Sequence, residues 1–297
     1  MKKHRSIIIT GDDFGASPAV NAAILEAHRN GILTTASLMV TGAAFAEAVE
    51  LARRHPRLAV GLHLTLTEER PASPPDQVPD LVGGGEGRFP LTPEAAGKRY
   101  FFWSCLPWAS STAYRQIQKE IRAQLEKFQK TGLKLSHVDG HQHMHMFPVV
   151  INALTELARE FNVQAVRIPS EELGLALKVD RSRFLEKVKF STVFGMFRPH
   201  ARKRLKSAGI RCPDRVYGLL QSGRVTEPYL LKLIPRIRAD RVEVYSHPTT
   251  EGTAASPRGA SRPQLEALTS ARVREALDAQ GFRLSTYPEM NGCMRCS

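Results

Sequence analysis

Six residues of acid or imidazole character stand at three corners of this chain. They are Asp12 and Asp13 in Gly11-Asp12-Asp13-Phe14-Gly15, His63 in Gly61-Leu62-His63-Leu64, and His137, Asp139 and His141 in His137-Val138-Asp139-Gly140-His141. Carboxylates and imidazoles are ligands for a divalent cation. One carboxylate with two imidazoles leaves positions open for water and substrate, which is what metal-assisted hydrolysis requires. Each corner follows or ends a short apolar run, at residues 6–10, 58–60 and 133–136. At that end of a parallel strand the loops converge on one cavity, so polar residues there serve chemistry.

Adjacent aspartates at a strand end point in different directions, so one can bind a metal while its neighbour takes a proton. His63 lies inside an apolar strand pattern. His141 belongs to His137-x-Asp139-x-His141-x-His143-x-His145, whose period of two would put all five on one strand face. Gly140 and the helix expected after Pro148 end that strand near His141, leaving His143 beyond it. Asp139, two residues from His141, can orient an imidazole. Two later corners, residues 165–170 and 242–248, also place polar groups at the ends of apolar strands, and His247 is a candidate general acid.

Short β-branched runs alternate with longer helical patterns throughout. Strands are expected at 6–10, 33–40, 58–66, 133–138, 165–168, 241–246 and 283–287. Helices are expected at 18–30, with Ser17 as N-cap and Gly31 as stop, and at 44–54, 113–130, 149–161 and 263–280. Seven βα units imply a parallel sheet with right-handed crossovers. The expected fold is a single-domain α/β (β/α) barrel, TIM-like and distorted or incomplete, with an open doubly wound sheet as the alternative. Residues 69–110 break the rhythm. The stretch 69–92 holds five prolines and Gly83-Gly84-Gly85-Glu86-Gly87, and leaves the His63 corner, so it reads as a lid-like insertion. Behind it lies an aromatic cluster with Trp103 and Trp108, suited to a sugar face or a lipid tail, or to core packing.

With 297 residues and 42% hydrophobic content the chain can bury a substantial core. No apolar run approaches the roughly 20 residues that span a bilayer. The apolar run behind Met1-Lys2-Lys3-His4-Arg5 is too short for a signal peptide, so a cytoplasmic location is expected. Four cysteines do not make a disulfide scaffold, and Cys293-Met294-Arg295-Cys296 reads as an incidental tail. Much of the +13 charge sits in residues 178–211, a basic helical segment with eleven Lys or Arg against Asp180 and Glu186. Phe184, Val188, Phe194 and Phe197 interleave with that charge. Such a helix either packs its aromatic face on the barrel or lies on an anionic membrane, at the inner face.

The motifs Thr10-Gly11-Asp12-Asp13-Phe14-Gly15, Val60-Gly61-Leu62-His63-Leu64, Ser136-His137-Val138-Asp139-Gly140-His141-Gln142-His143 and Tyr245-Ser246-His247-Pro248 together resemble the YdjC-like carbohydrate deacetylases. Val20-Asn21-Ala22-Ala23-Ile24, residues 33–40 and Val166-Arg167-Ile168-Pro169 look like the hopanoid-biosynthesis-associated branch, whereas Asp139-Gly140 is shared with the chitooligosaccharide branch. The resemblance implies an α/β barrel that binds one divalent ion, zinc or magnesium, through Asp13, His63 and His141. By the same resemblance Asp12 looks like the catalytic base, Arg167 steadies Asp12, and His247, as imidazolium, protonates the leaving amine. Asp139, His143, Trp103 and Trp108 are expected to support the ligands or to meet substrate. The implied substrate is an N-acetylated amino sugar, lipid-linked as in a glycosylated hopanoid, or a soluble chitooligosaccharide. A two-metal phosphoesterase would need further bridging carboxylates, and only Asp139 offers itself. A nucleic-acid module would rest on the basic segment alone, without a zinc-finger or RNA-binding signature, and nucleic acid is not expected as a partner. An inactive relative would lack metal and turnover.

Overall fold

The structure, a computed structural model, describes residues 5–83, 87–90, 92–107, 111–252 and 259–290. Trp108, Cys293 and Cys296 lie outside the described residues. Seven strands are present among these: β1 (Arg5–Phe14), β2 (Thr35–Leu38), β3 (Ala59–Leu64), β4 (Leu135–Gly140), β5 (Arg215–Tyr217), β6 (Arg241–Ser246) and β7 (Phe282–Leu284). The helices are α1 (Pro18–Asn30), α2 (Phe45–Arg54), α3 (Pro93–Cys105), α4 (Thr112–Gln129), α5 (Pro148–Leu157), α6 (Leu173–Val179), α7 (Phe184–Ser207), α8 (Glu227–Leu233), α9 (Arg262–Thr269), α10 (Ala271–Ala279) and α11 (Tyr287–Met290). Every strand pairing is parallel, in the order β4-β3-β2-β1-β6-β5, and β7 pairs with the start of β1.

The sheet curls on itself. Val138 of β4 bridges Val166, Ala165 bridges Arg211, and the amide of Val216 in β5 donates to Ser170 Oγ. These contacts carry the sheet from β4 through residues 165–168 towards β5, giving a distorted TIM-like barrel. Residues 165–168, expected as a strand, contribute isolated bridges instead, while β5 was not anticipated. Three residues behind Pro213 are too short a run to show a period. The single helix expected at 263–280 divides at Ser270, whose φ of −69° and ψ of 125° leave the helical region and whose hydroxyl caps Val273. A serine inside a helical pattern can take the capping role and restart the helix. Ser17 caps α1 as expected, accepting from the amide of Val20.

Both faces of a barrel strand are covered, so Ile7, Ile8 and Ile9 run together in β1 and all three are buried. Ile7 and Ile9 join the large core shared with the helices, whereas Ile8 groups with Ala165, Tyr287 and Met290. The two-residue period therefore sends Ile8, Thr10 and Asp12 towards the lumen. Residues of the same alternation in β3, β4 and β6 meet them there. His137 stacks on Tyr287 of α11 at 4.1 Å, and Tyr287 in turn donates to Glu243 at 2.5 Å.

Among the described residues of the expected insertion at 69–110 there are a helix and buried side chains. Thr92 caps α3 and Pro93 takes its first position, a start signal that the sequence reading passed over. The amides of Ala72 and Ser73 donate to buried Glu120 of α4, and Val78, Leu81 and Phe89 are buried. The basic segment forms α7, with Phe194, Phe197, Ala201 and Leu205 buried beneath its charges. No helix among the described residues is long and apolar enough to cross a membrane.

Gly61 in β3 is required by the stacked His137. A Cβ there would lie 2.2 Å from His137 Nδ1 and 2.7 Å from the His137 carbonyl oxygen. Gly61→Ala is therefore expected to lower stability by ~1–3 kcal/mol through overpacking. Urea unfolding in excess chelator should show the midpoint falling with an unchanged slope.

Candidate metal centre and active site

The two aspartates owe their approach to one site to a bulge. Pairing of β1 with β2 shifts register between Gly11 and Phe14, and Asp13 takes φ of 63° while Gly15 takes φ of 94°. A bulge re-aims side chains, and aspartate tolerates the left-handed region better than most residues. Asn21 locks the turn. Its Oδ1 accepts from the amide of Gly15 at 2.8 Å, while its Nδ2 donates to the Ala44 carbonyl and to Glu47.

Asp12 meets Arg167 in a two-point pair: Nη1 donates to Oδ2 at 2.6 Å and Nη2 to Oδ1 at 2.9 Å. The same guanidinium reaches Asp139 Oδ2 at 2.8 Å and Glu243 Oε1 at 2.8 Å, with Tyr245 beneath it at 4.5 Å. All of these side chains are buried. Burial alone would lower the Arg167 pKa, but Asp12, Asp139 and Glu243 hold it well above the ordinary value. Arg167 is thus a permanent cation binding three carboxylates.

Asp13, His63 and His141 offer ligand atoms that all lie within 4.8 Å of one another. His141 Nδ1 is 2.9 Å from Asp13 Oδ1. His63 Nε2 lies 3.3 Å from the same oxygen but makes no hydrogen bond, and Asp13 Oδ2 also has no partner. Two buried polar atoms left unpaired within one cluster of a carboxylate and two imidazoles fit a divalent ion. His63 is held from behind, since its Nδ1 donates to Asp139 Oδ1 at 2.8 Å. Asp139 is fixed in turn by Ser37, whose hydroxyl donates to Oδ2 at 2.7 Å. Asp12, His63 and Asp139 form a second group of converging ligand atoms, although Arg167 already engages both carboxylates.

Electrostatics sharpen this arrangement. Burial works to raise the Asp13 pKa, yet His141 and His63 beside it bring it well below the usual carboxylate range. Burial works to lower His63, yet the carboxylates of Asp139 and Asp13 raise it to about 10. His141 is raised to about 8 against burial by Asp13 and Glu68. Without an ion, both rings hold protons.

The structure brings Asp12, Asp13, His63, Asp139, His141, Arg167 and His247 together. His247 Nε2 lies 4.0 Å from Asp12 Oδ2 and its Nδ1 is unpartnered. Burial lowers the His247 pKa against the pull of Asp13 and Asp12, favouring neutral imidazole over the expected imidazolium. His143 does not join the ligands. The strand ends at Gly140, Gln142 and His143 have φ of 52° and 56°, and His143 Nε2 shares a hydrogen bond of 2.7 Å with Tyr245 OH. His137 sits deeper, stacked on Tyr287. A cavity of about 630 Å³ opens from the site. Asp12, His63, Glu68, His141 and His247 line one part, and Phe101, Phe147, Phe190, Phe194 and Phe197 another. Trp103 is not among its lining residues. It packs on the core with its ring edge-to-face to Tyr100, the second of its two expected places, while Phe101 of the same helix lines the cavity.

Sequence reasoning passed over four residues. Glu68 Oε2 lies 2.7 Å from His141 Nε2, and Glu243, Tyr245 and Asn21 support the site as described. The period of β6 carries the signal for Glu243 and Tyr245, because both share the alternation of His247. No spacing pointed to Glu68.

The family model described as YdjC-like protein matches residues 6–279. A Brevibacillus brevis protein named carbohydrate deacetylase is 43% identical over 163 residues, 55% of this chain, and the match spans 59% of that relative, less than two thirds of its length. A Geobacillus stearothermophilus protein of the same name is 32% identical over 291 residues, covering 96% of this chain and 98% of the other. The solved structure of an Enterococcus faecalis V583 protein named for cellobiose-phosphate cleavage aligns at TM-score 0.68 and 26% identity, over 97% of this chain and 99% of that one.

Binding of an ion such as zinc through His63 and His141 would require each ring to give up a proton. Raised pKa values mean the protonated forms prevail below about 8, so zinc affinity is expected to fall as pH falls from 8 to 6. Calorimetry in buffers of different ionisation enthalpy should record about two protons released per ion, and His63→Ala should abolish binding while keeping the circular dichroism spectrum. Unchanged zinc affinity in His63→Ala would remove that residue from the ligand set.

Proposed function

This chain belongs to the YdjC-like family, and on that premise we propose that it is a metal-dependent hydrolase removing the N-acetyl group from an N-acetylglucosaminyl substrate, a glycosylated hopanoid lipid. One observation carries this reading. A single cavity joins Asp12, His63, His141 and His247 to a wall of Phe101, Phe147, Phe190, Phe194 and Phe197, so an amide at the polar end would have apolar matter beside it. The relatives named carbohydrate deacetylase support the reaction type. Asp139-Gly140, shared with the chitooligosaccharide branch, favours soluble chitooligosaccharides as the second reading.

Asp13, His63 and His141 would hold the ion, with Asp139 keeping His63 in the tautomer that presents Nε2. Zinc or magnesium so held supplies polarisation of the acetyl carbonyl and a lowered pKa for water. Asp12 takes the proton of the attacking water. Both its oxygens already accept from Arg167, which fixes the carboxylate plane while leaving each oxygen a further lone pair. His247, on the cavity wall, delivers a proton to the departing sugar nitrogen. Because burial favours its neutral form, that proton is gathered during turnover, and Asp12 Oδ2 stands 4.0 Å from Nε2. Acetate and a free amine leave.

The exposed large apolar side chains among the described residues are Phe101, Phe102, Leu106, Phe184, Leu185 and Met196. They belong to α3, its end, and α7, whose Phe101 and Phe197 rings meet at 6.3 Å. A cytoplasmic enzyme resting on the inner face of an anionic membrane would turn this surface and its lysines towards the lipid.

Purified protein given an N-acetylglucosaminyl lipid and N-acetylated chitooligosaccharides, with mass spectrometry following acetyl loss, tests the activity. Asp12→Asn should keep the metal and lower kcat by about 10²–10⁴. Phe101→Ala, at a half-exposed position, is expected to raise KM about tenfold for the lipid, the equivalent of ~1.4 kcal/mol of apolar burial, and to leave KM for the soluble sugar unchanged. Equal KM effects on both would favour the chitooligosaccharide reading.

A further inference from the structure

Glu68 carries an unusual backbone for its type. It follows β3 through buried Thr65, Leu66 and Thr67, then takes φ of 66°, a left-handed conformation that costs a non-glycine residue energy. The turn is held in place: its amide donates to the Pro90 carbonyl at 2.9 Å, Thr67 Oγ1 donates to the same carbonyl at 3.0 Å, and the Phe89 amide donates to the Glu69 carbonyl at 3.0 Å. The side chain reaches His141 Nε2 at 2.7 Å from the cavity wall, where it is 17% exposed.

The two ligand histidines are then arranged alike. His63 turns Nε2 towards Asp13 and gives Nδ1–H to Asp139, while His141 turns Nδ1 towards Asp13 and gives Nε2–H to Glu68. A metal-bound imidazole is fixed in tautomer and orientation by the acceptor on its far nitrogen, and losing such a partner costs 10–100-fold in metal affinity. Asp139 is sealed among Arg167 and Ser37, whereas Glu68 stands on the cavity wall in a turn tied to the Pro90 carbonyl. We infer that Glu68 is the positioning residue of His141, fixing its Nε2–H tautomer and so raising the affinity for the ion. This rests on the reading of Asp13, His63 and His141 as metal ligands.

The test uses the full chain and zinc chloride, because a nitrogen-rich site prefers zinc to magnesium. Equilibrium dialysis should give Glu68→Ala a zinc Kd about 10–100-fold above wild type and Glu68→Gln a smaller increase, since the amide oxygen still accepts from Nε2–H. Glu68→Gly, free of the left-handed strain, should match Glu68→Ala, which separates loss of the carboxylate from backbone effects. In ¹⁵N-histidine spectra of the zinc-loaded protein, one ring should carry its proton on Nε2 in wild type and Glu68→Gln and lose that fixed tautomer in Glu68→Ala. Wild-type affinity and an unchanged tautomer in both Glu68→Ala and Glu68→Gly would overturn the role of Glu68 alone. Failure of wild type to bind zinc would overturn the ligand set and this inference with it.

Discussion

One buried guanidinium organises the lumen of this barrel. Arg167 is fully enclosed and meets Asp12, Asp139 and Glu243. A buried cation survives only where its donors are met, and a buried carboxylate only where its charge is answered. Here one cation answers three anions, and the remaining acceptor capacity is taken by neighbours. Thr10 and Tyr287 donate to Glu243, Ser37 and His63 to Asp139. Each of these partners comes from a different element, so the fold closes around the charge and the charge pins the elements. A polar interior of this kind gains geometric definition at a cost in desolvation. That exchange suits a site whose groups must hold fixed directions.

Much of this was legible in the chain, for physical reasons that differ by residue. Asp12, Asp13, His63, Asp139, His141 and His247 are found at strand ends because apolar runs mark the strands and parallel strands deliver their ends to one cavity. Arg167 could be placed on its corner, but the number of carboxylates it serves could not, since that depends on β4 and β6 meeting across the lumen. His137 and His143 show the limit of a two-residue period. His137 obeys the alternation yet lies one layer too deep, filling the space that Gly61 leaves, whereas His143 falls after the strand has ended and turns to Tyr245. Glu68 was invisible because nothing in its neighbours' types announces a left-handed residue that reverses the side chain's direction. Trp103 admitted two readings because an aromatic beside a long insertion suits a ligand as well as it suits a core. Its neighbour Phe101, two positions away on α3, points to the cavity.

The basic segment resolves in the same terms. Its charge and its aromatics read as one amphipathic feature, but α7 divides the aromatics between two duties. Phe194 and Phe197 are buried and also line the cavity, while Phe184 and Leu185 at the helix start are exposed. The hydrophobic stripe is thus interior wall for part of its length and outer surface for the rest. One helix supplies both cavity wall and outer surface.

Two adjacent aspartates take different partners here through backbone geometry, and the order of causes matters. A regular strand would send Asp12 and Asp13 to opposite faces, one into the lumen and the other outward into the helix layer. The register shift after Gly11 and the left-handed Asp13 cancel that alternation, so both carboxylates come within reach of His63. Asn21 then holds the turn from α1 by binding the amide of Gly15, and the Asp13 carbonyl accepts from the amide of Ala16. Asp12 is left against Arg167 and Asp13 against the two imidazoles, cation and ligands on separate sides of one peptide. Proton transfer by one and metal binding by its neighbour would therefore not compete for the same partners, and the bulge is the structural feature behind that separation.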